Sequence, residues 1–369
     1  MSIAAVITHR VSAPLHTPFV TSLRRAETVE SLIVEIIDSD GCSGFGEAPQ
    51  VWQVTGASIA GSEACVEGML APLLIGRDPD DLVATVRAVQ GAVVGNEAAK
   101  AAIDVALHDL AAQRMGVPLV RLLGGVSLSV ATDVTLSAAD ADSLAQAATE
   151  RVADGFSVLK VKVGTADSAS EIARVRAIRA AIGPDVTIRL DANQGWTPRE
   201  AVRVIHGVED AGLGVEFVEQ PVARWDIEGL AWVSDRVDLP IVADEAVFSV
   251  RELVEVIRRR AADVVNVKLA KCGGLSAGRT LLALAEAHGL GTIVGSMMET
   301  SIGIGAAASL ASAYGTTGVC DLDAAWWLAD TPIRGGMVYD RATITLVDEP
   351  GLGIRGVGGG SPKRWKAIA

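Results

Sequence analysis

Val158-Leu-Lys-Val-Lys162 sets two lysines at alternate positions in an otherwise apolar run. Read as a strand, it turns Lys160 and Lys162 to one side, because strand side chains alternate with period two. Two readings follow. The strand is an edge with a lysine-rich solvent face, or it is buried with anionic groups opposite, since an unpaired buried ammonium is costly. The surrounding sequence decides between them.

From about residue 126, short apolar runs alternate with helical patterns. The candidate strands span residues 131–135, 158–163, 187–191, 215–219, 241–244, 264–268, 291–295 and 317–321. Lys162, Asp191, Glu219, Asp244 and Lys268 follow one another at intervals of about 24 to 29 residues, the length of a strand–helix repeat. Eight such strands predict an α/β fold, a (β/α)₈-type barrel of modified TIM-barrel form, over residues 126–329. Residues 1–125 read as an α+β capping domain. Two β-branched runs and a return strand at Gly44-Phe-Gly-Glu-Ala48 are followed by a helical region. Its clearest element is the alanine-rich stretch from Asn96 to Gly116. Residues 330–369 carry the strand-like Ala342-Thr-Ile-Thr-Leu-Val347 and are expected to return to the capping domain.

The bulk properties narrow the function. A net charge of −13 over 369 residues argues against nucleic acid or an anionic membrane as partner. Cys42, Cys65, Cys272 and Cys320 are scattered without metal spacing, which fits a reduced, cytoplasmic protein. Neither a signal peptide nor an apolar run of membrane-spanning length is read.

In a barrel the reactive groups come from the C-terminal ends of the strands. Here those ends carry Lys162, Asp191, Glu219, Asp244 and Lys268 in turn, then Asp321 and Asp323. Three carboxylates on successive strands supply hard oxygen ligands suited to Mg²⁺, with Mn²⁺ as a substitute. Lys162 and Lys268 lie on strands to either side. Desolvation or neighbouring cations lower a lysine pKa toward about 7–8, the range of a working base. Two opposed lysines can take a proton from one face of a carbon and return one to the other. A divalent metal holding a carboxylate would stabilise the enediolate between. This predicts proton abstraction α to a carboxylate.

Lys160-Val-Lys162, Asp191-Ala-Asn193, Glu219-Gln-Pro221, Asp244-Glu245 and Lys268, taken together, resemble the muconate lactonizing subgroup of the enolase superfamily. The resemblance covers nearly the whole chain. It implies Lys162 and Lys268 as the acid/base pair and Lys160 as the cation that polarises the substrate carboxylate. It also implies Asn193, Glu245 and Asn266 as supporting groups near the metal, and a homo-oligomer. The mandelate racemase subgroup would want a His–Asp dyad, and none of the five histidines falls at a strand end.

Asp321-Leu-Asp323 discriminates within the subgroup. An anionic pair at the mouth suits a cationic substrate group, and dipeptide epimerases carry such a pair for the α-ammonium. Capping of a helix at Ala324-Ala-Trp-Trp is the alternative. The favoured reading is therefore epimerisation at the C-terminal residue of a dipeptide. N-acylamino acid racemase, o-succinylbenzoate synthase and muconate cycloisomerase chemistry are the alternatives. In epimerases acting on Ala-Glu, an arginine of the first capping loop pairs with the glutamate. Arg24 or Arg25 could serve here. Thr135, Met297 and Met298 are further candidate contacts, and Trp52 a candidate apolar wall. Lys271-Cys-Gly-Gly274 reads as a structural turn.

Overall fold

The computed structural model describes residues 1–358 and the backbone of 363–365. An antiparallel sheet, in the order Lys363–Trp365, Ile3–Val20, Arg25–Asp38, Ser43–Pro49, forms one wall of the N-terminal unit. Against it lies the helix Glu97–Met115, closed by Gly116 in the left-handed region. Its alanines and the glycines of the third strand let the two backbones approach closely. A Cβ on Gly46 would fall 1.9 Å from the Ala102 carbonyl oxygen, and one on Gly44 2.2 Å from that of Ala106. The opposite face of this helix meets the barrel. Asp104 Oδ1 accepts the Leu275 backbone N–H at 2.6 Å, at the start of the barrel helix Leu275–Ala287. Glu47 accepts from Thr300 and from the Gly303 backbone N–H, capping the helix Ser301–Tyr314.

Seven parallel strands form the barrel sheet in sequence order, from Val134–Leu136 to Gly291–Gly295. Leu159 and Val161 are fully buried beside Lys160 and Lys162, which are only 1% and 5% exposed. The edge-strand reading of this segment is thereby excluded. Two of the expected strands differ from the reading. Residues 131–135 are split: Ser129–Ala131 pairs antiparallel with Thr343–Thr345, and only Val134–Leu136 joins the barrel. The eighth strand is reduced to bridges, Thr132 with Cys320 and Gly295 with Asp321. Those two residues close the ring, and Asp321 leaves directly into the site. The tail is therefore attached twice, through Thr343–Thr345 to the barrel's first segment and through Lys363–Trp365 to the N-terminal sheet.

The first capping loop, the polar stretch of residues 17–27 that carries Arg24 and Arg25, is the end of a long hairpin. Strand pairing runs from Val20 opposite Arg25 back to the main sheet. Its tip is a turn in which Thr21 N–H bonds the Arg24 carbonyl, and Thr21 Oγ1 accepts from the N–H groups of Leu23 and Arg24. Ser22 Oγ donates to the carbonyls of Ala192 and Asn193, which pins the tip over the end of the strand Thr187–Asp191. Among the described residues no helix is long and apolar enough to cross a membrane.

Candidate active site

Register brings the strand ends to one level. Lys162 is the cross-strand partner of Asp191, and Asp191 of Glu219. On the other side Lys268 pairs with Gly295, which bridges to Asp321. A Cβ at Gly295 would lie 2.6 Å from Asn266 Oδ1 and 2.9 Å from Lys268 Cε, so only glycine leaves room for both side chains.

Each of the three carboxylates has one oxygen anchored and the other on an ammonium. Asp191 Oδ1 accepts the Asn193 backbone N–H at 2.9 Å, while Oδ2 takes Lys162 Nζ at 2.6 Å and lies 3.1 Å from Lys160 Nζ. Glu219 Oε1 accepts from Asn266 Nδ2 at 2.9 Å. Its Oε2 lies 2.7 Å from Lys160 Nζ, a close ion pair without hydrogen-bond geometry. Asp244 Oδ2 takes Lys268 Nζ at 2.8 Å, while Oδ1 takes Lys271 Nζ at 2.5 Å. Gln220 Oε1 accepts the backbone N–H groups of Asp244 and Ala246 and so orients that strand end. Glu245 Oε1 accepts from Asn193 Nδ2 at 3.2 Å. Lys271 is the residue that sequence reasoning missed. It lies in the supposed structural turn, on the short helix Leu269–Cys272, and it is 1% exposed. The one sequence signal is its i+3 spacing from Lys268, which returns a side chain to the same end of the strand.

The Lys268 pKa runs opposite to the expectation. Burial works to lower Lys268, but Asp244 first, then Asp321 and Glu219, outweigh it and hold the ammonium well above its ordinary value. Lys160 is likewise raised, burial being overcome by Asp191, Asp321 and Glu219. Burial pushes Glu219 up to about 7 despite Lys160, and burial together with Asp244 and Asp191 pushes Glu245 up to about 8. Burial is the first cause of both shifts. The four ammonium groups Lys160, Lys162, Lys268 and Lys271 face six carboxyls, Asp191, Glu219, Asp244, Glu245, Asp321 and Asp323.

Among the described residues no three carboxylates converge by themselves as a ready metal cage, because the ammonium groups stand between them. The donor set nevertheless fits a divalent cation. It is all oxygen and it is buried. Glu245 Oε2, Asn193 Oδ1 and Asn266 Oδ1 are buried there without a hydrogen-bond partner among the described residues.

Above this floor lies a cavity of about 50 Å³, lined by Lys162, Lys268, Asp244, Glu245, Asn193, Asp321, Asp323, Thr135, Met297, Met298 and Arg24, with Phe19, Thr21, Leu23, Val54, Ser296 and Ala324. Lys160, Asp191, Glu219 and Asn266 lie behind its wall. Asp321 Oδ2 accepts Lys160 Nζ at 2.7 Å and lies 3.8 Å from Lys268 Nζ. Asp323 Oδ2 accepts the Thr135 backbone N–H at 2.7 Å. The Asp323 side chain makes no backbone cap to the 3₁₀ turn Ala324–Trp327, so the capping alternative is not realised. Arg24 is held down to about 10 by burial, and its guanidinium has no carboxylate partner among the described residues. Arg25 instead turns out to Glu27. Trp52 is 60% exposed and lies outside the cavity lining, so it is not the wall expected; Val54 is. A larger cavity of about 600 Å³ lies between the N-terminal unit and the barrel, but it holds none of the paired lysines or strand-end carboxylates.

A barrel whose strand ends hold paired lysines around three carboxylates, under an α+β cap, defines the enolase-type class of enzymes. The chain belongs to that class by sequence as well. Residues 3–124 match the mandelate racemase/muconate lactonizing enzyme N-terminal domain, and residues 143–356 the enolase C-terminal domain-like family. It is an isomerase of this family. It is similar to the L-Ala-D/L-Glu epimerase of Bacillus subtilis (strain 168), with 44% identity over 356 residues, 96% of this chain and 97% of that one. A solved substrate-liganded complex of the Bacillus subtilis L-Ala-D/L-Glu epimerase superposes with a TM-score of 0.95, at 43% identity, covering 97% of this chain and 100% of that one. The dipeptide epimerase of Enterococcus faecalis V583, complexed with Mg and L-Leu-L-Tyr, gives 0.92 at 38% identity, covering 96% and 99%.

Proposed function

We propose that this protein epimerises dipeptides at the α-carbon of the C-terminal residue, with Mg²⁺, or Mn²⁺ in its place, held by Asp191, Glu219 and Asp244. The observation that carries the reading is a single cavity bounded by Lys162, Lys268, Asp321, Asp323 and the unpartnered Arg24. The similarity to dipeptide epimerases supports the substrate class.

One lysine, as the free amine, takes the α-proton; the other, as the ammonium, returns a proton to the opposite face. The C–H bond broken is replaced by a C–H bond formed, nothing is oxidised, and the two lysines end with their protonation states exchanged. Lys160 supplies positive charge beside the substrate carboxylate. A divalent cation, when bound, would stabilise the negative charge that develops on that carboxylate. Asp321 and Asp323 receive the α-ammonium. Arg24 receives an acidic side chain, which favours Ala-Glu-like substrates. Thr135, Met297 and Met298 shape the wall, and Asn193, Glu245 and Asn266 hold the carboxylates in place. The cavity is smaller than the several hundred Å³ usual for a small-molecule site, so the tip at Thr21–Arg24 must part to admit substrate. We further infer a cytoplasmic homo-oligomer of three regions, 1–125, 126–329 and 330–369.

The test is incubation with Mg²⁺ and a library of L,L-dipeptides in D₂O, scored for a mass gain of one unit. Exchange in Ala-Glu-like members, abolished by Lys162→Ala and by Lys268→Ala, is expected. Exchange with N-succinyl amino acids but with no dipeptide would replace this reading by the N-acylamino acid racemase one. Full turnover in either lysine variant would refute the two-base mechanism.

A further inference from the structure

Asp321-Leu-Asp323 is fixed along its backbone by several hydrogen bonds. Asp321 N–H bonds the Val294 carbonyl at 3.0 Å, Leu322 N–H bonds Thr132 Oγ1 at 2.9 Å, and the Tyr339 hydroxyl donates to the Leu322 carbonyl at 2.5 Å. What the backbone leaves undetermined is how the Asp323 carboxylate rotates. Two donors settle that, both on Oδ2. One is the Thr135 backbone N–H; the other is the indole N–H of Trp327, at 2.8 Å. Oδ1 has no hydrogen-bond partner among the described residues, on a residue that lines the cavity.

The indole is itself held in place. Trp327 is 4% exposed. Its ring stacks on His16, with centroids 5.1 Å apart and planes 28° apart, and Trp326 meets it edge-on at 5.0 Å. His16 belongs to the strand Ile3–Val20, which runs on through Phe19 to the hairpin tip carrying Arg24. Clamped on a face and an edge, the ring fixes the direction of its N–H.

We propose that Trp327 is a positioning residue for the amino terminus of the substrate. It holds Asp323 Oδ2 so that Oδ1 faces the cavity as the acceptor for an α-ammonium. This rests on the reading of Asp321 and Asp323 as the ammonium site. It goes beyond that reading in assigning the carboxylate's orientation to a residue that touches no substrate. A charge-assisted hydrogen bond that fixes an acceptor in advance strengthens binding without entering the chemical step.

The experiment compares Trp327→Phe, Asp323→Asn and the double variant by kcat and KM on the dipeptide that exchanges fastest. Trp327→Phe keeps an aromatic ring against His16 but removes the pyrrole half of the indole together with its N–H, so Tm is read beside the kinetics. The expected result is a KM raised roughly tenfold with kcat within about threefold, the size of one charge-assisted hydrogen bond lost. In the double variant the effect should not exceed that of Asp323→Asn, because both act through one carboxylate. An unchanged KM in Trp327→Phe beside a raised one in Asp323→Asn, or effects that multiply, would overturn the inference and leave the ammonium site standing. An unchanged KM in Asp323→Asn would instead bring down the ammonium site itself, and this inference with it. Should Trp327→Phe not fold, protein labelled with ¹⁵N-tryptophan decides. Asp323→Ala should move one of the seven indole N–H signals upfield, and an unmoved set would overturn the inference.

Discussion

Arg24→Met should make the protein more stable and less able to turn over acidic dipeptides. Arg24 lines the cavity with no carboxylate partner among the described residues, and burial alone brings its guanidinium down to about 10. A base whose folded pKa is depressed binds fewer protons folded than unfolded between its folded and unfolded pKa values. Stability therefore rises with pH from about pH 10 upward, and at neutral pH the penalty is complete. At about 1.4 kcal/mol per unit the shift corresponds to ~3 kcal/mol, and the partial solvent contact of the guanidinium reduces this to about 1–3 kcal/mol. Methionine matches the length of the stem without the charge, so Tm should rise by a few degrees. The same change removes a charge-assisted, forked contact to a glutamate side chain, about 1.5–3 kcal/mol. That is a fall of about 10- to 150-fold in kcat/KM for L-Ala-L-Glu, with little change for L-Ala-L-Met. Thermal melts of the substrate-free protein and racemisation followed by polarimetry measure the two effects. Unchanged kcat/KM for L-Ala-L-Glu would refute the specificity role. A lowered Tm would refute the claim that Arg24 is an uncompensated charge awaiting its partner.

Three further outcomes are expected. Gly295→Ala should lower kcat at least tenfold in the exchange assay, since its Cβ would displace Asn266 and Lys268 together. Dialysis against a chelator should abolish exchange and lower Tm, both restored by Mg²⁺. A cation present at about 100 times its Kd stabilises the folded state by ~2.7 kcal/mol, and an unchanged Tm on its removal would count against a resident metal. Asp109 is pushed up to about 7 by burial, although it accepts the backbone N–H groups of Phe45 and Leu352. A carboxyl with a raised folded pKa contributes stability that is present below about pH 4 and lost as pH rises to 7. The stability of Asp109→Asn, measured by urea titration, should therefore fall less steeply between pH 5 and 7 than that of the parent.

Most of the fold was legible because a barrel repeats. One strand–helix interval recurs, and each repeat delivers its last residue to the same rim, so Lys162, Asp191, Glu219, Asp244 and Lys268 could be aligned by counting. Legibility failed where the repeat is broken. The eighth strand, expected over 317–321, survives only as Cys320 and Asp321 bridging two edges, because an apolar run by itself does not show whether the neighbouring strands leave it a full ladder to pair with. The residues 17–27 read as a loop for the opposite reason. Pro18 and the polar side chains around it hide a hairpin whose arms pair from Val20 opposite Arg25. Lys271 and Trp327 were invisible as site residues because each acts through another side chain, Asp244 or Asp323, brought near only by folding. The Lys268 pKa direction was misread because the rule for an isolated buried lysine was applied to one surrounded by carboxylates. Their sum, not burial, decides the sign.

On the proposed mechanism, that same crowding would let the site exchange its cations without collapsing. Asp191 is anchored through Oδ1 by the Asn193 backbone, Glu219 through Oε1 by Asn266, and Asp244 through Oδ1 by Lys271. The oxygens opposite them carry Lys162, Lys160 and Lys268. An ammonium that leaves one of those outer oxygens for a substrate, or yields it to a divalent cation, therefore does not free the carboxylate to rotate. Lys271 in particular is held by the Asp244 and Asn266 carbonyls as well, so it stays when Lys268 moves. Lysines whose carboxylate partners keep their own anchors can act on a proton. Lysines that alone held those carboxylates in place could not let go of them.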